Sequence, residues 1–76
     1  MTTHRRLALQ IRSRLALRDH TQKQLGEALG MGHAALSARM NGHRDFTLSE
    51  LEKTADFLRV SLRDLLDFDA DKEERP

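Results

Sequence analysis

The stretch from Thr21 to Gly42, TQKQLGEALGMGHAALSARMNG, constrains this chain more than any other. Two short segments of helical period flank the tripeptide Gly30-Met31-Gly32. The first runs from about Gln22 to Leu29 and the second from about His33 to Asn41. Gly30 falls where the first helix must stop, and glycine takes the left-handed backbone usual at such an end without steric cost. Leu25, Leu29 and Leu36 are spaced to face a shared core. Gly26 lacks a side chain where the two backbones would otherwise be held apart. The pattern specifies a pair of helices joined by a tight turn.

The flanking chain reads as scaffold. Residues 1–4 are expected to form a flexible arm. Arg5 to Arg18 has helical period, with Leu7, Ile11 and Leu15 in one apolar stripe. Arg5 and Arg12 lie opposite that stripe, and Arg14 and Arg18 flank it. Three later helix starts carry a capping box or its near equivalent: Thr21 with Gln24, Thr47 with Glu50, and Ser61 with Asp64. Each cap is worth about 1 kcal/mol. Phe46 with Leu51 and Val60 with Leu65 have the spacing of hydrophobic staples. These signals predict a fourth helix from about Leu48 to Leu58 and a fifth from about Leu62 to Asp67. The tail, residues 69–76, is charged and lacks apolar anchors, so it is expected to fray. No alternating apolar run argues for a strand. The class is all-α: five helices in one compact domain over residues 5–68, with the helix pair at about 21–42.

The helix that starts at His33 differs from the others. It has a staple, Met31 with Leu36, but glycine at its cap position, Gly32. An uncapped N-terminus keeps free N–H groups and the positive end of the helix dipole, which suit a phosphate. Gly32 also serves the turn geometry, and the two roles are compatible.

Composition narrows the function. The chain has no cysteine, which excludes a disulfide framework and a cysteine-based zinc site. His4, His20, His33 and His43 do not stand at metal-binding spacings. No phosphate loop, dinucleotide fingerprint or nucleophile elbow is present. The chain therefore reads as neither an enzyme nor a cofactor or metal binder. No apolar run reaches the length of a membrane span, and the N-terminus lacks a signal-peptide core, so a soluble, cytoplasmic protein is expected. The net charge of +1 hides an asymmetry. Residues 1–44 carry eight cations against Asp19 and Glu27, whereas residues 45–76 carry five cations against ten acids. That imbalance suggests a polyanion partner on the N-terminal side. Charges clustered on a solvated surface would give the same count.

The pattern Gln22-x-x-Leu25-Gly26-x-x-Leu29-Gly30-Met31, then Leu36-Ser37, then Asn41-Gly42, resembles the lambda-repressor-like, or Cro-like, helix-turn-helix domains of XRE type. The resemblance continues through Phe46-Thr47-Leu48-x-x-Leu51 and Ala55-x-x-Leu58-x-Val60-x-Leu62-x-x-Leu65-Leu66, and so covers about residues 7–68. It implies a recognition helix in the major groove of double-stranded DNA and a homodimer on a pseudo-palindromic operator. His33, Ala34, Ser37 and Ala38 match base-facing positions. Gln22 matches a position that contacts phosphate, and Asn41, with His43 or Arg44 in the loop after it, matches positions near the backbone; Thr21 and Gly32, at the two helix starts, are further phosphate candidates. Arg5 and Arg6 are candidates for an arm in the minor groove, and Leu62, Leu66 and Phe68 for the dimer surface.

Two features depart from the family's pattern. Arg39 stands where an apolar residue is common, three positions after Leu36; it either reaches a phosphate or pairs with an acid such as Asp45 or Glu50. The reading face is also rich in alanine. Ala34 and Ala38 can touch a thymine methyl but cannot make the bidentate contacts that arginine, glutamine or asparagine make. Direct readout should therefore be sparse, with phosphate contacts and DNA shape supplying the rest. The implied function is a small bacterial or phage transcription regulator, most simply a repressor, without a small-molecule ligand. The alternatives are an antitoxin or recombination accessory factor on the same fold, or a protein-interaction module that has lost DNA binding.

Overall fold

The computed structural model describes residues 3–67 of the 76. Five helices account for its regular structure: α1 (Thr3–Leu17), α2 (Gln22–Leu29), α3 (His33–Met40), α4 (Leu48–Leu58) and α5 (Leu62–Leu65). The fold class is all-α, as the sequence implies. Helix α1 packs on α3 and α5, α2 packs on α3 and α4, and α4 packs on α5. The recognition candidate α3 is thus wedged between α1 and α2.

The core is a single cluster. Leu7, Ala8, Ile11 and Leu15 come from α1, Leu25 and Leu29 from α2, Leu36 and Met40 from α3, Ala55 and Leu58 from α4, and Leu65 from α5. Ile11, Leu25, Leu58 and Leu65 are fully buried. Burying a side chain of this size is worth about 1.5–3 kcal/mol. Met31, Phe46, Leu51, Phe57, Val60 and Leu62 pack around the cluster half-buried. Thr54 is the exception in polarity. It is fully buried, and its hydroxyl donates to the Glu50 carbonyl at 2.8 Å, so the hydroxyl is matched.

The caps fix the helix starts. Thr21 Oγ1 accepts from the Gln24 N–H at 3.1 Å, and Gln24 Oε1 accepts from the Thr21 N–H at 2.8 Å. Thr47 and Glu50 repeat the arrangement at 3.1 and 2.9 Å. At α5 only half of it forms: Ser61 Oγ accepts from the Asp64 N–H at 2.9 Å. Aspartate is one methylene shorter than glutamate, which accounts for the missing return bond. Gly30 ends α2 at φ 71, in the left-handed region. Gly26 is a true close approach, since a Cβ there would lie 3.1 Å from the Met31 carbonyl oxygen.

Four boundaries differ from the sequence expectation, the least of them the end of α1 at Leu17, one residue before Arg18. Helix α1 begins at Thr3, so Thr3 and His4 belong to a helix and not to an arm. In that first turn the His4 ring pairs with the Asp45 carboxylate, 41 residues away. Helix α3 ends at Met40, with Asn41 as its cap. Helix α5 ends at Leu65, two residues short of Asp67. The remainder of the expected arm (Met1 and Thr2), Phe68 and the tail 69–76 lie outside the described residues.

Candidate nucleic-acid interface

Helix α3 turns Leu36 and Met40 inward, each only 3% exposed. Helical geometry then places Ala34, Ser37 and Ala38 on the outer side, whereas His33 continues the inward stripe and owes its exposure to its place at the first residue of the helix. His33 and Ala34 are exposed, and Ser37 and Ala38 are half-buried. Ser37 Oγ accepts a hydrogen bond from Asn41 Nδ2 at 3.1 Å, leaving the hydroxyl hydrogen to donate outward. The surface is low in relief and carries few polar groups.

At the head of α3, Gly32 has extended backbone, φ −78 and ψ 175, and gives no side-chain hydrogen bond to the helix. The first N–H groups of α3 are therefore not capped by a side chain. Thr21 and Gln22 stand at the head of α2, Thr21 exposed and Gln22 half-buried. The Thr21 oxygen holds the cap, but its hydroxyl hydrogen is left to donate.

At the other end, the loop after α3 is folded back on the helix. The Asn41 N–H donates to the Ser37 carbonyl at 2.9 Å. The His43 and Arg44 N–H groups both donate to the Ala38 carbonyl, at 2.8 and 3.2 Å. Gly42 makes the turn at φ 80 and lies against His4, where an added Cβ would come within 3.4 Å of the His4 Cβ. These bonds hold the backbone of the loop while the side chains of Asn41, His43 and Arg44 stay exposed.

Arg39 is the clearest departure from the phosphate-contact reading. Its Nε donates to Glu50 Oε1 at 2.9 Å, one terminal nitrogen to Glu50 Oε2 at 3.2 Å, and the other to the Ala35 carbonyl at 2.9 Å. The side chains of the pair are only 16% and 18% exposed. Of the two readings the sequence left open, the geometry takes the acid, and of the two acids, Glu50. The Arg39 guanidinium holds the Glu50 carboxyl below its ordinary range, against burial, with the Thr47 N–H adding to the effect. Asp45 pairs with His4 instead.

The remaining candidates are dispersed. Arg5 and Arg6 lie in the first turns of α1, so a helix and not an arm carries them. In α5, Leu62 is half-buried and Leu66, just past its end, is 38% exposed. Sequence reasoning missed two features. One is the tie between His4 and Asp45, whose partners no local pattern connects. The other is Arg12, which is exposed at a cleft between α1 and the end of α3. Its only sequence signal was its place off the apolar stripe.

Among the described residues, no cluster of three or more metal-ligating side chains occurs, and no helix is long and apolar enough to cross a membrane. No curated protein and no solved structure matches the chain. A family model described as helix-turn-helix matches residues 11–65, which is more than half of the chain and runs from mid-α1 to the end of α5. With the turn, the uncapped third helix and the two trailing helices in place, the chain belongs to the XRE-type helix-turn-helix family, the DNA-binding regulators that are lambda-repressor-like and Cro-like.

Proposed function

We propose that this chain is a sequence-specific transcription regulator, a small repressor of bacterial or phage type that acts in the cytoplasm as a homodimer on a pseudo-palindromic operator. The observation that carries the reading is the outer side of α3. Among the described residues the helix leaves His33 and Ala34 exposed and Ser37 and Ala38 half-buried, and it starts at an N-terminus that no side chain caps. His33 and the Ser37 hydroxyl supply hydrogen bonds to base edges, and the methyl groups of Ala34 and Ala38 meet thymine methyls. Thr21, Gln22 and the N–H groups beside Gly32 hold one stretch of phosphates, and Asn41, His43 and Arg44 hold another. Arg39 is withdrawn from that set, because its donors are taken by Glu50 and Ala35. Leu62 and Leu66 belong to the surface proposed for pairing; Phe68, the third candidate, lies outside the described residues.

Selection of bound duplexes from a random pool tests this directly. The expected result is a short consensus in two inverted halves about 34 Å apart, one turn of the double helix. A Ser37→Ala variant should keep the affinity for unselected DNA and relax the preference at one position of each half. A consensus with a single, unrepeated half would remove the dimer. Failure to enrich any sequence, with no salt-sensitive retention, would instead favour a module that binds protein.

A further inference from the structure

A cleft of about 480 Å³ separates the first half of α1 from the end of α3. Ala8 and Met40, each 3% exposed, lie at its base. Arg5 and Arg12 come from α1, two turns apart, and Asn41 and Gly42 form the opposite wall. Among the described residues, no carboxylate lines it. The nearest acid in the loop, Asp45, is paired with His4 at the cleft's end. Arg12 is exposed, and no hydrogen bond or ion pair engages its guanidinium among the described residues.

The end of a helix is ordinarily a poor place for an anion, because its last carbonyls point outward. Here the loop removes that objection. The Ser37, Ala38 and Arg39 carbonyls accept the N–H groups of Asn41, of His43 and Arg44, and of Gly42, respectively. The wall of the cleft is thus a capped helix end facing an unengaged guanidinium. Guanidinium and phosphate match as a planar fork to a set of oxygens.

We propose that this cleft seats a phosphate of the DNA backbone flanking the bases faced by α3, with Arg12 as the cation that holds it. The proposal rests on the DNA-binding reading of α3. A helix lying in the major groove has a phosphate strand along each side. The cleft opens beside the loop that carries His43 and Arg44, so it extends the row of backbone contacts from that loop onto α1. A contact of this kind adds affinity and orientation without sequence preference.

Fluorescence anisotropy of the full chain on a labelled mixed-sequence duplex, over a series of salt concentrations, tests the proposal. Arg12→Ala should bind several-fold more weakly, with the slope of log K against log salt reduced by about 0.9, the value for one lost phosphate contact. Lys53→Ala, at an exposed position of α4, should leave both unchanged and so serves as the control. Thermal unfolding of Arg12→Ala should match the wild type, since that side chain is solvated. A wild-type slope with a normal salt response and an identical slope for Arg12→Ala would overturn the cleft and leave the regulator reading intact. A wild type without any salt-dependent binding would overturn both. A parallel NMR titration with inorganic phosphate separates the sources of the anion. Saturable shifts at Asn41 and Gly42 that vanish in Arg12→Ala, together with an unchanged DNA slope, would assign the cleft to a free anion and overturn the DNA assignment.

Discussion

Helices α2 and α3 have the same length, eight residues each, and opposite starts. Helix α2 opens with a complete capping box and closes on a left-handed glycine. Helix α3 opens on Gly32 with no side-chain cap. Helix α4, which packs against α2, begins with a full box as well. Local stabilisation is therefore concentrated in the elements that hold α3, while α3 itself depends on its neighbours. Short isolated helices are marginal in water, so an eight-residue helix without a cap persists only through packing. Leu36, Met40 and the Arg39–Glu50 pair supply that packing. Helix α2 is finished internally, whereas the first N–H groups of α3 are left without a side-chain cap.

The largest effect should come from removing the shared support. Leu25 is fully buried beneath both helices, and Leu25→Ala should destabilise the domain by about 2–5 kcal/mol. Urea denaturation would then show α2 and α3 lost in one transition. Two separate transitions would break the claim that α3 has no stability of its own.

Next comes the ion pair. Arg39→Ala should cost about 1.5–3 kcal/mol, the range for hydrogen bonds to charged groups, and should leave the salt slope of DNA binding in place. The pH dependence follows from Glu50, whose folded pKa is lowered chiefly by Arg39. A lowered carboxyl contributes stability above its ordinary pKa and loses it as the pH falls through the folded value. Wild type should therefore lose part of its stability on acidification below about pH 4.5, the ordinary range for glutamate. Glu50→Gln should be weaker at neutral pH and show a flatter acid limb. An Arg39→Ala variant that kept its stability but lost DNA affinity would return Arg39 to the phosphates.

The smallest effect is the sharpest discriminator. A Cβ at Gly32 meets nothing within 4 Å, so Gly32→Asp fits without strain. It should stabilise the domain slightly, by about 0.3–1 kcal/mol, through capping and the helix dipole. The same carboxylate should weaken DNA binding by placing a negative charge where a phosphate is proposed. Higher stability with unchanged affinity would mean that the open start of α3 is only a turn.

Much of this was legible in the sequence because it is governed by short-range rules. The starts and ends of α2 and α4 match the expected residues, since capping boxes and a left-handed glycine act within four positions. Gly26 and the inward Leu25, Leu29 and Leu36 also read correctly from spacing. The start of α1 did not; its first turn carries a histidine that pairs with an aspartate 41 residues away, which no short-range rule connects. Arg39 stayed ambiguous for a related reason. Two acids lay within reach along the chain, and only the angle between α3 and α4 selects Glu50 over Asp45. Arg12 is polar and off the stripe in either view; it gains meaning only when α3 packs beside α1.

Glu50 serves two helices at once. One carboxylate closes the cap of α4 through the Thr47 N–H and grips the guanidinium that fixes α3. The tilt of the proposed reading helix and the start of the next helix are therefore set by the same two oxygens. A lineage that altered operator preference by rotating α3 would have to rebuild the beginning of α4 in the same step. Exchange of the side chains at 33, 34, 37 and 38 carries no such penalty. The architecture channels change in specificity toward the exposed face and away from the angle at which that face is held.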